Sequence, residues 1–277
     1  MNRKIYVYFI IATIICALLL TAGCDNPNEG TPSGDQISSG AQISSGAQTL
    51  PSGEQIGNIV TNGGSGSSAD SSSEYYDFDG LVYAFNADDS SYTVKGLKDG
   101  NVNAKIVIPS SIQGKPVRAI DSAAFEDCGE LTSVIIPSSV KYIGAYAFSN
   151  CVKLTSIVVP SGVEIIRDCV FKNCKSLESV EIPSGVTGIG VKAFYGCSNL
   201  KDAQIPLGVT SIGSGAFGYC DSLTEIVIPI GVTRIGSLAF FQCAELTIYC
   251  ELSVAPSGWD ATWNGDCSIV WEYVSNR

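Results

Sequence analysis

Histidine is absent from all 277 residues, which removes the commonest general base and the commonest metal ligand at neutral pH. Basic residues are few as well, 16 Lys and Arg against 27 Asp and Glu, for a formal charge of −11. No basic stripe offsets this balance, so nucleic acid is disfavoured as a partner, as is direct attraction to anionic lipid. Phosphate-cradling glycine loops and serine–base arrangements are also missing. Asp202 and Glu225 fall at equivalent places of consecutive repeats, but a glycosidase needs one carboxyl held protonated by burial. A solvated acidic face accounts for them better. Together these absences point away from an enzyme, a metal site and a cofactor.

Large apolar residues and all Lys and Arg are nearly or wholly lacking between Asp25 and Glu74. That stretch carries an imperfect repeat, GDQISS, GAQISS, GAQTLPS and GEQIG, and cannot bury enough surface to offset its ordering entropy. It reads as a flexible tether, residues 24–74, whose root-mean-square span is roughly 40 Å for a Gly/Ser-rich chain of this length. Ahead of it, a positive start at Asn2 to Lys4 leads into an apolar run from Ile5 to Leu20 and then LTAGC. This order resembles a bacterial lipoprotein signal peptide, residues 1–23, with Cys24 as the lipidation site. Thr21 departs from the usual lipobox, where leucine is most common. An ordinary secretory signal and a retained membrane helix are the alternatives, although the run is at the short edge of the roughly 20 residues a spanning helix needs. Acyl chains on Cys24 would anchor the exported protein to a membrane.

The rest of the chain is periodic. Phe125, Phe148, Phe171, Phe194, Phe217 and Phe240 are spaced by 23 residues without exception, as are Cys128, Cys151, Cys174, Cys197, Cys220 and Cys243. Leu131 to Leu246 and Pro137 to Pro229 keep the same interval, while Pro109 lies 28 residues before Pro137, so the first unit carries an insertion. A period of this length defines one solenoid turn per repeat. In the unit AFEDCGELTSVIIPSSVKYIG, Leu131, Val134 and Ile136 can point inward from an extended segment, and Pro137 ends the pairing because it has no amide hydrogen. Gly144 is expected to allow a tight bend, and AYAF a single helical turn.

The pattern AFxxCxxLTSIxIPxxVxxIG resembles the BspA-like class of leucine-rich repeats, found in bacterial surface proteins and some parasitic protists. The resemblance runs from Ile106 to Leu246. It implies a leucine-rich-repeat solenoid, mostly β with short helical turns, and an adhesin or partner-recognition role without a catalytic motif. The repeats proper span 120–246, after an N-terminal cap with the first repeat strand at 75–119 and before a C-terminal cap at 247–277. The runs YYDFDGLVYAF and SYTVKGL, separated by NADDS, predict a β-hairpin over the start of the solenoid. Trp259, Trp263 and Trp271 suit either a β-rich cap or a glycan-binding platform.

The cysteine ladder is not spaced as zinc ligands are, and stacked neighbours would sit beyond the Cβ separation a disulfide prefers. Buried thiols fit better. Cys250 and Cys267 lie outside the ladder, and in an exported protein a disulfide between them stays open alongside two free thiols. Cys169 has no assigned role. Alternation leaves Ser133 and Ile135, Ser156 and Val158, Ser179 and Glu181, Asp202 and Gln204, and Glu225 and Val227 on the outer side of the extended segments. They form the candidate binding face, apolar and hydroxylic early and acidic late, suited to a protein ligand on a host or bacterial surface. An envelope structural role and carbohydrate binding are the competing functions.

Overall fold

The computed structural model describes residues 59–60, 75–98 and 104–275. The leader, Cys24 and all of the predicted tether except residues 59–60 lie outside the described residues. Among those described, no helix is long and apolar enough to cross a membrane.

The repeats coil into a β-solenoid with two strand-bearing sides. The first wall consists of β5 (Lys105–Val107), β8 (Ser133–Ile135), β10 (Ser156–Val158), β12 (Ser179–Glu181) and β14 (Asp202–Ala203), all parallel in one sheet. It continues in a second parallel sheet of β16 (Glu225–Ile228), β18 (Thr247–Cys250) and β19 (Ser268–Val270). The opposite wall carries β7 (Lys115–Ile120), β9 (Tyr142–Ile143), β11 (Ile165–Ile166), β13 (Gly188–Ile189), β15 (Ser211–Ile212) and β17 (Arg234–Ile235). Register follows the repeat: Ser156 faces Ser179 and Ser179 faces Asp202, each 23 residues on. The extra residues of the first turn form β6 (Ser111–Ile112), which folds back antiparallel on β7 through Gln113 and Gly114, both at positive φ.

Proline makes the corner after β8, β10, β12, β14 and β16. The amides of Val140, Val163, Val186, Val209 and Val232 donate to the carbonyls of Pro137, Pro160, Pro183, Pro206 and Pro229, closing a four-residue turn. Trp259 donates to Pro256 in the same way, so the terminal unit still obeys the rule.

The third side departs from expectation. Where a helical turn was predicted at AYAF, the backbone alternates between ordinary and left-handed conformations, with Tyr146 at φ 61° and Asn150 at φ 59°. This alternation turns every second amide along the solenoid axis: Tyr146, Phe148 and Asn150 donate to Asp168, Val170 and Lys172 of the next turn. The amides between them, Ala147, Ser149 and Cys151, close four-residue turns onto Gly144, Tyr146 and Phe148, so bonds between turns alternate with bonds inside one turn and no continuous helix forms. Gly144 also has a different task from the one expected. It is not at positive φ; a Cβ on it would meet Ser122 N at 2.3 Å, so glycine here admits the close approach of the preceding turn. Gly190, Gly213 and Gly236 repeat this contact.

Inside, the six phenylalanines are fully buried and stack along the axis with ring centroids 5.2–5.7 Å apart and planes within 17° of each other. Leucine, valine and isoleucine from the two walls surround this column in one continuous core. Over the N-terminal end lies an antiparallel cap of β2 (Tyr75–Phe78), β3 (Leu81–Asn86) and β4 (Ser91–Leu97), with β4 pairing to β7. A short strand β1 (Ile59–Val60) pairs with β2 from within the segment read as a tether. Tyr83 and Tyr92 are buried in this cap, and Phe85 lies under Lys115 Nζ at 3.8 Å, so these aromatics cover the core. The C-terminal end is closed by tryptophan. Trp263 continues the phenylalanine column, edge-on to Phe240 at 6.0 Å, and Trp259 donates its indole N–H to Val232 O at 3.1 Å.

Candidate binding face

The first wall presents the residues that alternation selected. Ile135 and Val158 are more than half exposed, and Ser156, Ser179, Glu181, Asp202, Gln204 and Glu225 are exposed, while Ser133 and Val227 are half-buried. Their strand neighbours Val134, Ile157, Val180, Ala203 and Ile226 are buried, so the alternation between core and solvent is complete. Parallel register aligns these outward residues in two rows across the wall. The rows extend further than the sequence reading reached. Lys105 and Val107 begin them, and Thr247, Tyr249, Ser268 and Val270 end them, each in register with its neighbours. The signal was present in KIV, TIYC and SIV, whose alternation matches the repeats although their flanking motifs do not.

Chemistry changes along the wall. Val107, Ile135 and Val158 make an exposed apolar start, at 57%, 62% and 61%. Glu181, Asp202 and Glu225 follow, and among the described residues none of them enters a salt bridge. Just ahead of these strands, Lys153 pairs with Glu130 at 2.7 Å and Lys201 with Glu178 at 2.9 Å, each between equivalent positions of adjacent turns. The face therefore couples a patch that gains from losing water with an uncompensated negative field.

The cysteines are structural. Cys151, Cys174, Cys197, Cys220 and Cys243 are buried, and each thiol donates to the carbonyl of a phenylalanine in the preceding turn, at 3.0–3.3 Å. Burial pushes the Cys197 thiol up to about 12. The Cys250–Cys267 disulfide left open by the sequence does not form: both are free thiols. Thr247 faces Ser268, which sets Cys267 about four strand positions from Cys250, roughly 13 Å at the rise of a β-strand and well past the reach of an S–S bond. Cys267 instead donates to Phe240 O at 3.3 Å and so extends the ladder by one turn. Its interval from Cys243 is 24 residues, and Gly265 and Asp266, both at positive φ, take up the extra one. Cys169 is buried at a left-handed position, with its Sγ 3.8 Å from Val191 O, and it is not one of the free thiols.

Sequence reasoning missed an amide ladder on the third side. Asn150 Nδ2 donates to Asp127 Oδ1 at 2.8 Å, and Asn173 Nδ2 to Asn150 Oδ1 at 2.9 Å. All three residues are in the left-handed conformation, which Asn and Asp tolerate better than most. The tripeptides EDC, SNC and KNC carried that signal. The tryptophans, by contrast, are committed to the cap: Trp259 and Trp263 are 7% and 5% exposed, and Trp271 stacks on Trp259 at 6.1 Å. Among the described residues no group of His, Cys, Asp or Glu is arranged to hold a metal ion.

A parallel coil of 23-residue turns with a phenylalanine column, a thiol ladder and an outward β-wall defines a leucine-rich-repeat solenoid. Residues 118–247 match the family described as BspA type leucine rich repeat region, in six copies. Among solved structures, the T. pallidum leucine-rich repeat protein is 34% identical, with 62% of this chain and 80% of that one covered at a TM-score of 0.59. A leucine-rich repeat protein from Bacteroides ovatus is 34% identical over 65% of this chain, at a TM-score of 0.61. A leucine-rich cell surface protein from Faecalibacterium prausnitzii is 34% identical over 64%, at 0.53. The match spans only 48% and 54% of those last two chains. No curated protein matches the chain by sequence. The protein belongs to the BspA-type leucine-rich repeat family.

Proposed function

We propose that the chain is an exported protein, lipid-anchored through Cys24, which displays its first wall at the cell surface to bind a partner protein. The observation that supports this most directly is the outward row from Val107 to Val270, which runs over two successive parallel sheets of the first wall and carries an apolar part followed by an acidic part. A fixed array of this kind costs little entropy on binding, because the side chains ride on strands already held in sheets over a packed core. The partner it suits offers an apolar patch flanked by Lys or Arg, so that Ile135 and Val158 lose water while Glu181, Asp202 and Glu225 meet opposite charge. Tryptophans committed to the cap give the carbohydrate reading no support. Family membership fits an interaction protein without chemistry of its own.

The test has two arms. Antibody to residues 75–277 is applied to intact cells, with a permeabilised control, and acyl incorporation is followed with an alkyne fatty acid in the wild type and in Cys24→Ala. Labelling without permeabilisation, and acyl label lost in the variant, are the expected results. Labelling only after permeabilisation would overturn surface display in favour of an envelope partner. Acyl label persisting in Cys24→Ala would overturn the anchor.

A further inference from the structure

The first wall ends at β5 on an open edge. Pairing to β8 uses the carbonyl of Ala104, which accepts from Thr132 and Ser133, and the amide of Ile108, which donates to Ile135 O. Strand alternation then turns the backbone N–H and C=O of Lys105 and Val107 to the other edge, where no strand pairs among the described residues. Among the described residues no backbone hydrogen bond reaches those four groups. A cleft of about 230 Å³ lies beside them, lined by Asp79, Leu81, Leu97, Lys105, Ile106 and Val107. On the opposite wall the equivalent edge is covered, because β7 is continued by β4, β3 and β2. The cap sheet thus runs on past the level of β5 and leaves a step. One extended strand fits such a step, whereas the flat end of a second solenoid would strike the cap.

We propose that the β5 edge binds an extended peptide of acidic, apolar, β-branched pattern, which adds to the wall as one further strand. Four unpaired backbone groups supply the attachment, and the side chains of the cleft supply the choice. The acidic residue would lie beside Lys105, as Glu130 lies beside Lys153 and Glu178 beside Lys201 at equivalent positions of adjacent turns. The middle residue aligns with Ile106, which is buried, and points toward Leu81 and Leu97. The third lies beside Val107, which is 57% exposed and gains a neighbour. Glu225–Ile226–Val227 of this chain already has that pattern, and it pairs in parallel with Thr247–Tyr249 as one turn of the same wall. This inference goes beyond the proposed face, since the main chain of an edge carries the attachment and, of the outward rows, only Lys105 and Val107 at their start take part.

The experiment titrates the full chain against a fluorescein-labelled peptide, Gly-Ser-Glu-Ile-Val-Ser-Gly, by anisotropy. Val107→Pro deletes an outward amide without touching a bond to β8, a place where an edge strand tolerates proline. It should weaken binding at least tenfold with the melting temperature unchanged, and N-methylation of the peptide's isoleucine should do the same. Peptide should also slow hydrogen exchange at the amides of Lys105 and Val107. Should Val107→Pro unfold the chain, Lys105→Pro and the N-methylated peptide carry the test. No binding to the unaltered chain, equal binding to the proline variants, or unchanged exchange at both amides would overturn the proposal. The Asp202→Lys, Glu225→Lys double variant should bind this peptide normally, which separates failure of the edge from failure of the face.

Discussion

Removing one ring from the middle of the column should be costly, and the size of the loss tests the packing argument. Phe194 is fully buried between Phe171 at 5.4 Å and Phe217 at 5.2 Å, with interplanar angles of 17° and 14°. Its amide donates to Ala216 O at 2.8 Å, a bond that Phe194→Ala leaves in place. The variant loses the phenyl group alone, and the two stacked neighbours limit collapse because each is held by its own turn. The cost should be about 3–5 kcal/mol, the usual range for truncating a buried aromatic. Phe194→Leu keeps most of the buried area but loses two ring–ring contacts of about 0.5–1.5 kcal/mol each, so about 1–3 kcal/mol is expected. Urea denaturation with matched m-values reads both. A loss below about 1 kcal/mol for Phe194→Ala would refute the column as core, and a loss near zero for Phe194→Leu would refute the contribution of stacking.

The other expectations follow from single contacts. Gly213→Ala places a Cβ 2.5 Å from the backbone of Gly190 and Val191, so it should cost about 2 kcal/mol or more, whereas Gly185→Ala meets only Ser161 O at 3.4 Å and should be nearly neutral; thermal melts compare them. Asn150→Ala should lose two ladder hydrogen bonds and strain a residue at φ 59°, for about 1–3 kcal/mol in denaturation, and Asn150→Gly should recover the backbone part. Burial raises the thiols of Cys197 and Cys250 from 9.0 to about 12, so their contribution to stability is intact below about pH 9 and falls as pH rises from there through 12. At pH 8 iodoacetamide should leave both unmodified in the folded chain and label them only after denaturation; rapid native labelling would contradict their burial.

Periodicity made the core legible because in a solenoid each residue packs against its own equivalent one turn away. The ladders of Phe148, Cys151 and Leu154 could be read directly, since a position in the repeat is also a position in the core. Local conformation on the third side was much less legible. Left-handed backbone is imposed there by the bonds between turns, so it falls on Tyr146, Lys192 and Leu238, residues that do not announce it. Gly144 was seen, but its reason lay in the preceding turn and not in its own φ. Cys267 escaped because one additional residue between Trp263 and Cys267 breaks the interval while the geometry absorbs it.

The same physics separates fold from recognition along the first wall. An inward residue must match its equivalents on both sides, and Phe, Cys and Leu accordingly repeat unchanged. An outward residue meets solvent on one side and is free of that demand. The second row runs Val107, Ile135, Val158, Glu181, Gln204, Val227, Tyr249 and Val270, varying in polarity from turn to turn over a core that does not vary. Substitution in that row can therefore change what the wall binds at little cost to the coil beneath. Exchanging Glu181 for Val should extend the apolar patch by one turn and leave stability within about 0.5 kcal/mol, the range of surface changes away from special contacts. A larger loss in a denaturation melt would show that the outward row also carries the fold, and the division between scaffold and binding face would fail.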